Sequence, residues 1–345
     1  VMMRRILVLP LLLVGFVIGL STNVQAEQVN LKLHHFLPPQ GDVPKKFFEP
    51  WAKKIAEESG GKINIQLFPS MQLGGKPSAL YDQAKDGFVD ISWTLTGYTP
   101  GRFAKAEVFE LPFMATDSES SSKATWEYYE KHLKDEFKDV KVLAIHTHSP
   151  GLFHTKSPIT SLEDLKGMKL RGPTRYVNLL LTSLGATAIG MPIPAAPQAL
   201  AKGVIDGVVI PWEAVPPFKI QELTENHTGF EGDRGLYTAV FVLAMNKAKY
   251  ESLPPDLKKV IDDNSGINIA GQMGAVQDGG AVIGLGVTKK TNGSITAIPT
   301  DKLEPWKKAS SKVVFQWIAD MNKKGLDGQT LYDTAVALLT KHAKK

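Results

Sequence analysis

The sequence contains no cysteine. Disulfides, thiolate nucleophiles and cysteine metal sites are therefore excluded, and so is a lipoprotein held by an acylated cysteine. Charge of one sign is also scarce. Lys+Arg of 40 against Asp+Glu of 35 leaves +5, and the lysines are scattered with no run beyond short pairs, so there is no nucleic-acid footprint. No Gly-x-Ser-x-Gly elbow and no phosphate loop of the P-loop type occur. Gly279-Gly280 and Gly284-x-Gly286 lack the strand-before-helix setting of a dinucleotide site. There is no low-complexity linker, so the organisation is not beads on a string.

What is present is ordinary soluble composition, 43% hydrophobic and 22% charged over 345 residues, a length suited to about two domains. The N-terminus reads as a processing segment. Arg4 and Arg5 are its positive region, Ile6 to Leu20 its apolar run, and Val24-Gln25-Ala26 its small-residue cleavage site. The expectation is a signal peptide over residues 1–26, cleaved after Ala26, and a free, exported, periplasmic protein. Loss of the two arginines lowers Lys+Arg from 40 to 38 and the net charge to +3, a mild bias that suits an anionic solute.

Periodicity gives alternating strands and helices. Val29 to His35 alternates as a first strand, and Phe47, Trp51 and Ile55 mark one face of a helix. Ile63 to Leu67 is a second strand, Pro77 opens a helix that Gly87 closes, and Val89 to Trp93 is a third strand. This β-α-β-α-β order predicts a parallel sheet with covering helices. After a helix over Ser118 to Lys138 and a strand over Val140 to Ile145, the pattern restarts at Ser149. Gly87-Phe-Val-Asp90 and Gly203-Val-Ile-Asp206 each join a helix end to a strand, which argues for two similar α/β domains. A long apolar strand follows at Tyr237 to Met245, then one helical stretch from Pro255 to about Lys289. Helices over Leu303 to Lys323 and Gly328 to Lys341 end the chain.

The segment from Ser161 to Arg175 carries the most pointed signal. Ser161 and Asp164 form a helix N-cap with its capping-box partner, and Gly167 ends the turn. Met168 to Leu170 begins a buried strand, which stops at Gly172-Pro173. Arg171 thus falls at the carboxyl end of a strand, where open α/β sheets bind ligands. A guanidinium there presents a planar fork to a carboxylate. The same residue also fits a solvated arginine at a sheet edge, and the segment alone admits both. Arg175, one turn further on, is a second donor or a solvated helix residue.

Aromatic residues stand at the ends of other strands. Trp93 closes one, Trp212 follows another, and Phe36 occupies a loop at an analogous place. Phe153 and Tyr237 lie near the expected passages between domains. Aromatics in such places cap cores or line pockets, and their convergence favours a lined pocket. His146, His148 and His154 suggest an enzyme as the alternative, a metal-dependent hydrolase using His146 and His148. The remaining histidines offer few further ligands, so no metal, no cofactor and no catalysis are expected.

These pieces together resemble the solute-binding proteins of tripartite ATP-independent periplasmic (TRAP) transporters. The resemblance covers Leu67-Phe68-Pro69-Ser70 with Gln72-Leu73-Gly74, the Gly87 and Gly203 segments, Glu107 to Phe113, the arginine segment, and Leu184-Gly185-Ala186 with Met191-Pro192. It implies a two-domain periplasmic binding fold with a central cleft, passages between domains near Ser149 and Leu236, and a long helix spanning both. Domain I would hold residues 27–148 with about 237–275, and domain II 149–236 with about 276–345. It also implies that Arg171 holds a ligand carboxylate and that small and large membrane permease subunits receive the cargo; a receptor for another importer or a sensor is the further alternative. Two departures matter. Ile210 stands where many members place an asparagine, and Leu152-Phe153-His154 where sialic-acid binders carry a second arginine. With Ile193 beside them, these make the pocket less polar than a sugar-acid site. The expected ligand is a small organic monocarboxylate, foremost a benzoate-like acid and next a 2-oxo or hydroxy acid.

Overall fold

The computed structural model describes residues 28–344, so the expected signal peptide lies outside the described residues. The strands are β1 (Val29–His35), β2 (Ile63–Phe68), β3 (Ile91–Leu95), β4 (Val140–Thr147), β5 (Leu152–Thr155), β6 (Lys169–Gly172), β7 (Thr187–Gly190), β8 (Gly207–Ile210), β9 (Asn226–Phe230), β10 (Val240–Asn246) and β11 (Ser294–Ile298). The helices are α1 (Glu49–Glu58), α2 (Leu80–Lys85), α3 (Ser118–Tyr128), α4 (Arg175–Ser183), α5 (Ala196–Ala201), α6 (Lys247–Glu251), α7 (Pro255–Asp263), α8 (Ile267–Thr288), α9 (Glu304–Lys323) and α10 (Gly328–His342).

Two sheets form, ordered β2-β1-β3-β10-β4 and β11-β9-β5-β8-β6-β7. Their cores repeat one plan, since β7-β6-β8-β5-β9 matches β2-β1-β3-β10-β4 place for place. β1 lies parallel to β2 and β3, and β6 lies parallel to β7 and β8. Each sheet also takes one antiparallel strand, β10 in the first and β5 in the second, an order the simple parallel expectation lacked. Both strands follow a passage of the chain from one sheet to the other.

The repeated Gly-to-Asp segments do the same work in each half. Asp90 Oδ2 accepts from Lys32 N of β1 at 2.8 Å, and Asp206 Oδ2 accepts from Lys169 N of β6 at 2.7 Å. Asn246 N, ending β10, donates to Asp90 O at 2.8 Å, and Lys156 N, following β5, donates to Asp206 O at 3.0 Å. A carboxylate at the start of the third strand thus fastens the first, while its backbone fastens the antiparallel fourth.

The helical stretch after Pro255 is two helices, because Gly266 adopts a φ of 94° between α7 and α8. The glycines of α8 are contact residues. A Cβ at Gly274 would lie 2.4 Å from Ser118 O at the start of α3, and one at Gly284 would lie 2.0 Å from Trp212 O after β8. Only hydrogen lets the helix backbone approach both halves this closely. At the end of the chain α10 packs on α3, with His342 Nε2 2.9 Å from Glu127. Among the described residues, no helix is long and apolar enough to cross a membrane.

Candidate functional site: a cleft between the two sheets

A cleft opens at the carboxyl ends of the strands of both sheets. The first half contributes Phe36 after β1, Trp93 of β3, Tyr98 in the loop after β3, and Phe241 of β10. The second half contributes Arg171 of β6, Ile193, and Ile210 of β8. Tyr237 and His148, on the two passages between the sheets, complete the walls.

Arg171 is 2% exposed. β6 ends at the Gly172-Pro173 turn, and the capping box at Ser161, where Asp164 accepts from Ser161 N at 2.9 Å, fixes the approach to it. The guanidinium is oriented by two carbonyls: Nε donates to Met191 O at 2.8 Å and Nη1 to Val209 O at 3.3 Å. Nη2 is buried and meets no acceptor among the described residues. A buried cation that meets only neutral carbonyls and keeps Nη2 unused is a receptor for an anion. Tyr98 reaches across from the first half, and its Oη accepts from Ile193 N at 3.1 Å beside that guanidinium. Tyr237 Oη donates to Val209 O at 2.9 Å, which leaves its ring as wall. A Cβ at Gly151 would lie 2.1 Å from the same ring, so the passage strand can hold only glycine there.

The floor is aromatic. Trp93 stacks on Phe241 at 4.4 Å and on Phe36 at 5.2 Å between ring centroids. Its Nε1 donates to His146 Nε2 at 2.8 Å, and His146 Nδ1 donates to Thr147 O at 3.1 Å. Both imidazole nitrogens are thereby engaged, and burial pushes the ring down to about 3, so it is neutral. That arrangement holds an indole in place and leaves no lone pair for a metal. Among the described residues, no group of three or more His, Cys, Asp or Glu side chains is placed to hold a metal ion.

Six of the residues expected from the sequence therefore meet at the cleft: Arg171, Trp93, Phe36, Ile193, Ile210 and Tyr237. Four do not line it. Phe153 faces the other side of its sheet and packs against Phe230 and Trp306 of α9. His154 is committed to His227, Nδ1 to Nδ1 at 2.7 Å, and to Ile210 O at 3.2 Å. Trp212 covers those two imidazoles, its ring 5.0 Å from His154. Arg175 opens α4 and turns to the opposite half, where its Nε donates to Glu107 Oε1 at 2.7 Å in a two-pronged ion pair. The cleft also holds Tyr98, a loop aromatic placed like Phe36, and His148, Glu213 and Gln277, which sequence reasoning did not assign to it.

The Glu107–Arg175 pair spans the cleft, since Glu107 lies before α3 and Arg175 at the start of α4. Burial raises the Glu107 pKa, opposed by the guanidinium, and the carboxylate in turn raises that of Arg175. The pair ties the two halves to each other, so a separation of the halves would have to break it. Arg175→Gln is expected to weaken ligand binding by about three- to tenfold, the modest value of a half-exposed pair, acting through the closed fraction. Calorimetry checks it, and unchanged affinity would remove the pair from the closure mechanism.

Comparison with known proteins places this geometry in context. Residues 33–320 match the family of bacterial extracellular solute-binding proteins, family 7 (DctP). A TRAP solute-binding protein from Rhodoferax ferrireducens, in complex with copurified benzoate, is 51% identical with a TM-score of 0.90, covering 91% of this chain and 98% of its own. A marine metagenome TRAP protein specific for aromatic acid ligands, co-crystallised with 3-hydroxybenzoate, is 48% identical with a TM-score of 0.91, covering 92% and 100%. A Bordetella bronchiseptica TRAP protein with bound (R)- and (S)-mandelate is 28% identical with a TM-score of 0.85, covering 91% and 100%.

Proposed function

We propose that this chain, which belongs to the bacterial extracellular solute-binding proteins of family 7 and within them to those of TRAP transporters, captures an aromatic monocarboxylate in the cleft. The observation that carries the reading is Arg171, buried, held by carbonyls and with Nη2 unused, below walls of Trp93, Phe36, Phe241 and Tyr237. The guanidinium takes the carboxylate and the flat walls take the ring. A polyhydroxylated acid would leave hydroxyls unpaired against Ile193, Ile210 and Phe36, which is costly in a closed cleft. The ligands of the three relatives support the same class.

The protein acts by holding its ligand, with no bond made or broken. Ligand contacts from both halves favour the closed arrangement. The closed protein then delivers its cargo, in the periplasm, to the small and large membrane subunits of a TRAP permease.

The test is a thermal-shift panel read beside tryptophan emission. Benzoate-like acids at a hundredfold excess over Kd are expected to stabilise the fold by about 2.7 kcal/mol and to perturb Trp93 emission. Stabilisation by uronic or sialic acids, with none from aromatic acids, would overturn the reading.

A further inference from the structure

The cleft has a second polar end that a simple aromatic acid leaves unused. Glu213 follows β8 and is 7% exposed, and Gln277 of α8 is 4% exposed. Both line the cleft. Ser149 N donates to Glu213 Oε1 at 2.9 Å, but Glu213 Oε2 is buried without a partner. Gln277 Nε2 is likewise buried without a partner among the described residues. His148 lies on the same passage. Its Nδ1 donates to Ser149 O at 2.5 Å, which leaves Nε2 an acceptor. This end is built from Ser149 and α8, whereas Arg171 is held by Met191 and Val209. No hydrogen bond joins the two sets among the described residues.

Buried orphans of this kind cost free energy unless something pairs with them. The missing partner must accept from an amide N–H and pair with a carboxyl oxygen that, when protonated, offers its own hydrogen. A hydroxyl does both from one atom. A second carboxylate would instead bring a fixed negative charge up against other acidic groups. Asp42 is drawn in there, since a Cβ at Gly280 would lie 2.6 Å from Asp42 Oδ2 and 2.9 Å from Glu213 Cβ. Asp278 adds another, its Oδ1 accepting from Ser149 Oγ at 3.0 Å. We propose that Gln277 and Glu213 form a subsite for a ring hydroxyl, so that the preferred ligands are hydroxylated aromatic monocarboxylates and aromatic dicarboxylates are rejected. This rests on the aromatic-acid reading of the cleft and refines it.

Burial pushes Glu213 up to about 8, so at neutral pH its carboxyl is largely protonated and adds no fixed charge against an anionic ligand. The ring spans from Arg171 to this end, with Trp93 and Tyr237 along its faces.

The experiment is calorimetry on the full-length mature protein, dialysed free of ligand, with benzoate, 3-hydroxybenzoate, 4-hydroxybenzoate and isophthalate. At least one hydroxybenzoate is expected to bind about tenfold more tightly than benzoate, and isophthalate about tenfold more weakly, the scale of one buried hydrogen bond gained or one acceptor misplaced. Gln277→Met keeps the length of the side chain and removes its donor. It should cut the ratio of hydroxybenzoate to benzoate affinity to below about threefold, and Gln277→Leu should do the same. Equal affinity of the wild type for benzoate and both hydroxybenzoates would overturn the subsite while leaving the aromatic-acid reading intact. So would Gln277 variants that keep the roughly tenfold preference for the hydroxybenzoate. Failure of every aromatic acid to bind would remove both.

Discussion

Arg171→Ala is expected to lose roughly 3–5 kcal/mol of ligand binding, more than two orders of magnitude in Kd. The loss is large because the carboxylate would enter a closed cleft with no cation to receive it. Arg171→Lys should recover little. An ammonium is a point donor, and it cannot hold Met191 O and Val209 O while gripping a carboxylate as well. The effect on the ligand-free fold should have the opposite character. Arg171 is a buried cation whose Nη2 is unpaired, so its presence costs the empty protein stability. Arg171→Met, which fills similar space without charge, should therefore melt no lower than the wild type and show no ligand-induced shift. Calorimetry and thermal melts read the two effects separately. Near-wild-type affinity in Arg171→Ala would return the residue to a structural role and remove the basis for a carboxylate ligand.

The sequence made Arg171 legible because local chemistry marks its place. A strand that must stop at Gly172-Pro173 puts its last side chain at the carboxyl edge of the sheet. The paired Gly-to-Asp segments were legible for the same reason, and they occupy equivalent places in the two sheets. What local pattern lacks is direction. Phe153 and His154 are neighbours on a four-residue strand, so they face opposite sides, and nothing in Leu152-Phe153-His154-Thr155 says which side is the cleft. Neither is: one side is filled by Trp306 and Phe230, the other by His227 and Trp212. Arg175 shows the same gap at longer range, because its partner Glu107 stands 68 residues earlier and identifies itself only once the halves meet. Tyr98 sits in a loop without period, and Gln277 on a helix whose pattern is dominated by glycines. The glycines were visible as an anomaly. Their cause, backbone contact with Ser118 and Trp212, belongs to the packed molecule.

Stability against pH should be bell-shaped with its maximum near pH 6.5, because two sets of buried groups oppose each other. His35, His146 and His154 are pushed down to about 3, and His148 and His227 to about 4, from an ordinary 6.5, chiefly by burial. They stay neutral in the fold and charge in the unfolded chain, so the stability they contribute is present above pH 6.5 and lost as pH falls below it. Burial raises Glu110 and Glu213 to about 8 and Glu136 to about 7, from an ordinary 4.5. They stay protonated in the fold and ionise in the unfolded chain, so their contribution is present below pH 4.5 and lost as pH rises towards 8. Between pH 4.5 and 6.5 the histidines outnumber the glutamates, so unfolding takes up protons and stability rises with pH. Below 4.5 the glutamates no longer oppose the histidines. Stability should then fall steeply enough to exhaust a total of about 5–15 kcal/mol near pH 4. Above 6.5 only the glutamates act, and the melting temperature should decline to about pH 8. Glu110→Gln separates the limbs, since an amide cannot ionise: it should make the alkaline limb shallower and the limb between pH 4.5 and 6.5 steeper, because Glu110 no longer opposes the histidines there. Melting curves from pH 4 to 9 for the two proteins decide it, and a wild-type melting temperature that climbs steadily from pH 6.5 to 8 would show that the buried glutamates are not held protonated.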